Sequence, residues 1–246
     1  MKRLYPLAIP LLCLCAPLHA QVSLDGTWGN NDKLTGPNYQ IGANLGQPQG
    51  DNLFHSFKDF NLQSGESATF FGPGDFQNVI SRVTGGNPSN IDGVIKSDID
   101  GANMYFLNPY GIMFGPNAKL EVQGSFHAST ADTLRFGDGN EFNARQPSNS
   151  VLTVAPIKAF GFLTGSPESL SVKGSELSVP TGKLSLVGGN LTINQATLTA
   201  SSGFNLASVA GISDVVLGDS SLDVPPPSQL DDIRITGDSL VQTNSE

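Results

Sequence analysis

The sequence predicts an all-β protein: a right-handed parallel β-helix, a triangular solenoid carrying an N-terminal cap and extra-helical strands. Three observations lead there. Residues 169–203 divide into five blocks of seven, SLSVKGS, ELSVPTG, KLSLVGG, NLTINQA and TLTASSG. Residues 101–130 read as short apolar pieces broken by Pro, Gly and Asn. Gly (28) and Pro (16) are plentiful while charged residues make up only 14% of the 246, a balance that suits turn-rich β structure better than helix.

The seven-residue blocks carry the geometry. Each has Leu at its second position (Leu170, Leu177, Leu184, Leu191, Leu198) and an apolar or small residue at its fourth (Val172, Val179, Leu186, Ile193, Ala200). Two apolar residues two apart share one face of a strand, and the Gly, Ser, Pro or Asn that ends each block lets the chain turn. A heptad also suggests a coiled coil, but residues two apart do not share a helical face, and Ser, Thr, Gly and Pro form helices poorly. Three blocks close a coil of about 21 residues whose strands pair with those above and below. A sandwich or barrel is the alternative, since alternation alone fits those as well.

In chain order, the first twenty residues form a leader. Lys2 and Arg3 precede an apolar stretch, 4–18, and cleavage is expected after Ala20, so residues 1–20 are a signal peptide and 21–246 one domain. Removing the leader leaves 11 basic against 22 acidic residues, a net charge of −11, which argues against nucleic acid or an anionic membrane surface as partner. Cys13 and Cys15 both lie in the leader, so the mature chain has no disulfide and depends on packing and backbone ladders. A lipoprotein reading would use Cys15, but Leu14 before it is large for such a site.

Residues 21–51 read as a cap of irregular strands anchored by Trp28, Tyr39, Ile41 and Leu45, needed because the first coil of a solenoid otherwise leaves an open edge. Phe54, Phe57, Phe60, Leu62, Phe70 and Phe71 then form a heavy core layer. Strands follow at 79–84 and 91–95, with turns at Gly85-Gly86, Asp92-Gly93 and Asp100-Gly101. Further strands are expected at 104–107, 112–114, 120–122 and 126–128, separated by the turns 108–111 and 115–118. Residues 141–150 read as a loop leaving the helix, which Phe160 and Phe162 rejoin. After the prolines 225–227, strands resume at 233–235 and 240–241, a seven-residue step, and the chain reads as a truncated solenoid without a polar cap.

Five motifs in order carry a family resemblance: NLFHSF (52–57), SRVTGG (81–86), IDG (91–93), NPYGIMFGPNA (108–118) and GSFHAST (124–130). Together they resemble the N-terminal secretion domain of filamentous-haemagglutinin-type exoproteins of two-partner secretion systems, and the phrasing is most similar to long cyanobacterial members. The resemblance spans about 21–240. It implies a monomeric β-helical module with no cofactor, exported to the periplasm of a Gram-negative bacterium. There the POTRA domains of an outer-membrane β-barrel transporter would bind it and pass it to the cell surface. Any host or cell-surface ligand would be met by a passenger region beyond this chain. The family's Asn-Pro-Asn-Gly-Ile secretion motif is matched by Asn108, Pro109, Gly111 and Ile112, with Tyr110 departing from the usual Asn, and Asn52 opens the first motif. Such a chain, presented unfolded, would offer edge strands by β-augmentation, and each coil emerging outside would bury Leu and Val on the one before. The same NPxG run is equally well suited to a purely structural turn.

The other function class open to a β-helix is a secreted carbohydrate-active lyase or glycosidase, which needs two carboxylates roughly 5–10 Å apart or an acidic metal site near a basic group. The candidates are Asp92, Asp98 and Asp100 with Arg82 or Lys96, the acids lying in turns at or near a glycine. His55 and His127 lack partners at motif spacing, and neither Asp98-x-Asp100-Gly101 nor Gly137-Asp138-Gly139 completes a calcium loop, so no catalytic residue and no metal is expected.

Overall fold

The computed structural model describes residues 21–218, 221–226 and 228–243; the signal peptide expected at residues 1–20 lies outside them. Its strands stack as three parallel ladders, one on each face of a solenoid. The first face carries Asn52–Phe60, Asn78–Val83, Asn103–Leu107, Phe126–Ser129, Leu184–Gly188 and Phe204–Ser208 in that order. The second carries Ser89–Ile91, Ile112–Phe114, Leu170–Lys173, Leu191–Asn194 and Ile233–Thr236. The third runs Asn38–Gly42, Ser67–Phe71, Val94–Ser97 and Lys119–Glu121, then resumes after a break in the ladder with Glu176–Val179, Thr197–Ala200 and Leu240–Thr243. The chain visits the faces in the cycle first, second, third.

The seven-residue blocks behave as predicted. Leu170 pairs with Leu191 on the second face and Leu177 with Leu198 on the third, so one coil takes 21 residues. Leu184 lies between Phe126 and Phe204 on the first face. The leucines at the second position and the apolar residues at the fourth are all within the buried core. Towards the N-terminus the coils widen, to 26 residues between Asn52 and Asn78. Aromatic rings fill the added width: Phe57 and Phe60 meet at 5.1 Å between centroids, and Phe60 and Phe106 at 5.0 Å, both edge-on. Phe71 does not join them. It is the last residue of Ser67–Phe71, points outward and is 40% exposed, because strand alternation turns Phe70 inward and its neighbour out.

The cap forms, with a different construction from the irregular strands expected. Val22–Leu24 runs antiparallel along the edge of Asn52–Phe60 and so closes the first face, while Asn38–Gly42 is already the first rung of the third ladder. Tyr39 and Ile41 are buried anchors, as read from the sequence; Val22 and Leu24 serve equally and were not foreseen, and Trp28 and Leu45 are only half-buried.

Residues 141–150 and 157–162 depart from the expectation. Glu141–Asn143 is a strand, not loop, and Phe160 and Phe162 do not re-enter the coil. They belong to an antiparallel sheet outside the solenoid, ordered Glu141–Asn143, Thr133–Phe136, Ile157–Phe162, Ser213–Leu217 and Leu222–Asp223; the coil resumes only at Leu170. This arm lies against the outer side of the first face. Phe54, Ile80, Tyr105 and Leu107 from the solenoid form a second buried core with Leu134, Phe136, Phe142, Phe160, Phe162 and Val215 from the arm. The first face is therefore apolar on both sides, and covering each such large side chain contributes about 1.5–3 kcal/mol.

Candidate functional site

The matched motif occupies the corner where the chain passes from the first face to the second. Asn103–Leu107 ends, residues 108–111 turn, and Ile112–Phe114 begins. The turn closes with the Gly111 N–H donating to the Asn108 carbonyl at 3.2 Å. Gly111 has φ +112°, a conformation that a side chain strains, and a Cβ there would lie 3.5 Å from the Pro88 Cβ and 3.6 Å from the Ser169 carbonyl oxygen. Ile112 points into the core, 2% exposed.

Asn108 is fully buried and its amide is used up inside the molecule. Nδ2 donates to the Asn87 carbonyl (3.0 Å) and Ser89 Oγ (2.9 Å), while Oδ1 accepts from the Tyr110 N–H (2.9 Å). One side chain thereby ties its own turn to the turn of the coil before it. Asn87, Pro88 and Ser89 were missed as parts of the site. The signal was present, since an Asn-Pro pair at Asn87-Pro88 recurs at Asn108-Pro109, 21 positions later.

Tyr110, the departure from the family pattern, has its own partner. The Arg145 guanidinium lies over its ring, 4.9 Å from the centroid, and Arg145 Nη2 donates to the Pro109 carbonyl at 2.9 Å. Arg145 Nε also pairs with the buried Asp132 carboxylate, whose other oxygen accepts the Leu163 N–H at 2.6 Å. The arm is thus locked onto the corner through a cation.

Asn52 is not at this corner. It opens Asn52–Phe60 at the opposite end of the first face and heads an amide ladder: Asn78 Nδ2 donates to Asn52 Oδ1 at 2.9 Å, and Asn103 Nδ2 to Asn78 Oδ1 at 3.4 Å. Asn52 Nδ2 reaches the arm, donating to the carbonyls of Thr153 (3.0 Å) and Ala155 (3.1 Å). A second pin was missed in the sequence. Arg82 is 1% exposed and donates to the Asn143 carbonyl, Ser150 Oγ and Ser56 Oγ at 2.5–2.7 Å, stacked on Phe142 at 4.2 Å. Burial lowers its guanidinium to about 10, against the opposing pull of Asp25. Burial also acts on the Asp25 carboxyl, yet hydrogen bonds from Ser56, Thr27 and Thr84 outweigh it and hold that group below its ordinary value.

Of the groups considered for an enzyme, only Asp98 and Lys96 meet, in a surface ion pair, while Asp92 and Arg82 are engaged elsewhere. Arg82 is enclosed beneath the arm. Asp92 caps the 115–118 turn, accepting from the Asn117 N–H (2.8 Å) and Nδ2 (3.0 Å). Asp98 follows the third face and pairs with Lys96 on the surface at 3.4 Å. His55 and His127 are both buried in the first face, so they are structural groups and not surface ones. Among the described residues no cluster of His, Cys, Asp and Glu is placed to hold a metal, and no helix is long and apolar enough to cross a membrane.

With this geometry in view, three comparisons bear on the chain. Residues 20–236 match the model of the TPS secretion domain family. The heme/hemopexin-binding protein of Haemophilus influenzae is 26% identical over 171 residues, 67% of this chain and 17% of that protein. The crystal structure of the HMW1 secretion domain from Haemophilus influenzae superposes with a TM-score of 0.53 at 16% identity, covering 92% of this chain and 54% of that one. The likeness in fold is to a secretion domain, and the chain spans about half or less of each relative.

Proposed function

Because this chain belongs to the TPS secretion domain family, a family of non-enzymatic secretion modules, we propose that residues 21–246 act as the secretion and folding-nucleation module of an adhesin-like exoprotein. The POTRA domains of an outer-membrane β-barrel transporter recognise it in the periplasm, and it is delivered as a monomer to the surface of a Gram-negative cell. It performs no catalysis. Asn52 and residues Asn108, Pro109, Tyr110, Gly111 and Ile112 serve this function by setting the two ends of the first face, not by offering free side chains.

The observation that carries the reading is the family match over 20–236 on a solenoid whose coils share one inward register, Leu170 on Leu191 and Leu177 on Leu198. Each coil then needs only its predecessor as template, so folding can proceed as the chain emerges. The test is expression with and without the partner transporter in a Gram-negative host, scored by protease accessibility at the cell surface. The chain is expected outside only when the transporter is present. Equal surface appearance without it overturns the proposal.

A further inference from the structure

The corner between the first and second faces holds a cleft of about 580 Å³ near the N-terminal end of the solenoid. Asp59 and Asn61 reach it from one coil and Asn87 and Asn90 from the next, over an apolar floor of Leu62 and Pro88. Leu62 bridges to Ile91 in parallel register, so Asn61 lies beside Asn90 at one strand spacing, about 4.8 Å. A cleft of this volume has the size of a small-molecule site.

Two polar pairs at its rim are held at one end and open at the other. Asn61 Oδ1 accepts the Asn90 N–H at 2.9 Å, which leaves Asn61 Nδ2 to donate elsewhere. Asn87 Nδ2 donates to Asp59 Oδ1 at 2.9 Å, which leaves Asn87 Oδ1 and Asp59 Oδ2 to accept. The side chains of Gln63 and Asn90 are exposed beside them. Donors and acceptors fixed in this way spare a ligand part of the cost of ordering them. The backbone, by contrast, is consumed: the Leu62 N–H donates to the Asn90 carbonyl (3.0 Å), the Asp92 N–H to the Leu62 carbonyl (2.8 Å) and the Ser89 N–H to the Gly111 carbonyl (3.0 Å). An extended peptide, which joins a sheet edge through backbone pairing, finds no ladder to extend here.

Open donors and acceptors beside an apolar strip suit a molecule with hydroxyls on its edges and C–H groups on its faces. A pyranose ring has that character and is about one strand spacing long, so successive rings would meet Asn61 and Asn90 in turn. Among the described residues that line the cleft none is a Lys or Arg, so Asp59 and Asp92 keep their charge and repel an acidic glycan. We propose that the folded chain binds a neutral oligosaccharide of about two or three rings in this cleft. The site puts ligand recognition on the module itself. It exists only once both coils have formed, and it rests on the secretion reading only for where the ligand is met, outside the cell.

The test is an array of neutral, sialylated and sulfated oligosaccharides probed with the purified folded chain, after which the neutral trisaccharide of strongest signal is titrated by calorimetry. Signal on neutral sugars alone is expected. Asp59→Ala should weaken binding of that trisaccharide about tenfold and Asn90→Ala about threefold, with the urea midpoint unchanged. Lys119→Ala, exposed on the third face, should alter neither. Asn90→Ala decides the matter if Asp59→Ala shifts the midpoint, since the exposed Asn90 side chain makes no hydrogen bond among the described residues. Silence on neutral sugars, preference for sialylated or sulfated ones, unaltered binding by Asn90→Ala, or equal weakening by Lys119→Ala overturns the proposal. So does calorimetric binding of tetralysine with none of the trisaccharide, which would make the cleft a site for cationic peptide. No step uses the transporter, so failure here leaves the secretion reading standing, and export without a transporter would remove that reading while leaving the cleft.

Discussion

Two imidazoles buried in the first face make acid an informative perturbation of this fold. His55 is fully enclosed, edge-on to Phe70 at 5.4 Å, with its nitrogens beside the Leu45 backbone and no well-formed hydrogen bond. His127 stacks on Tyr105 at 4.4 Å between centroids, its Nδ1 2.7 Å from Ser185 Oγ. Burial pushes both rings down to about 3, and the Lys183 charge adds to the effect on His127. In the unfolded chain each titrates near the ordinary value of 6.5. The unfolded state therefore binds protons first as pH falls, so stability is complete above 6.5 and is lost progressively between 6.5 and about 3. At pH 5 each imidazole costs about 2 kcal/mol, or about 4 kcal/mol for the two. That is a large part of a typical stability of about 5–15 kcal/mol. Asp25, held below its ordinary value of 3.8, contributes its own loss only at lower pH, so the range 7 to 5 isolates the histidines. The assay is the urea midpoint at pH 7.5, 6.5, 5.5 and 5.0, followed by fluorescence of Trp28, the one tryptophan. His127→Phe keeps the stack on Tyr105 and should remove about half of the fall. A midpoint that stays flat from pH 7 to 5, or falls equally in the double variant His55→Phe with His127→Phe, refutes the reasoning.

Two substitutions test how corner and arm are joined. Asn108→Ala strands the Asn87 carbonyl, Ser89 Oγ and the Tyr110 N–H, and should cost about 2–3 kcal/mol in urea unfolding; a loss under about 0.5 kcal/mol would mean that water replaces the amide. Arg145→Ala removes the cation from the buried Asp132 while the Leu163 and Thr164 N–H donors remain, so a loss of about 2 kcal/mol is expected. That loss should be concentrated in the arm. Hydrogen exchange should quicken across 133–162 and stay slow at 184–194, whereas uniform quickening would show that arm and solenoid open as one unit.

The coils were legible because each seven-residue block carries its whole instruction locally: Leu and Val two apart for the inner face, then a residue that can turn. The arm was not legible in the same way. Ile157–Phe162 finds a partner in Ser213–Leu217, some fifty residues on, and no local pattern announces so distant an antiparallel pairing. Its trace was indirect. Met104, Tyr105, Phe106 and Leu107 are apolar in succession where a one-sided strand would alternate, which is how a strand covered on both faces reads. The motif was legible as residues but not as a role, because NPYGI specifies a turn equally well whether Asn108 faces a partner or the interior. What separates the two is long-range: the Asn87 carbonyl and Ser89 hydroxyl must already be in place one coil earlier before the Asn108 amide is satisfied. Arg145, with Asp132 beside it, can in turn reach the Pro109 carbonyl only once that turn has formed. The polar contacts thus run in the same succession as the leucine register, with the corner's amide satisfied by the coil before it and the arm's cation satisfied by the corner.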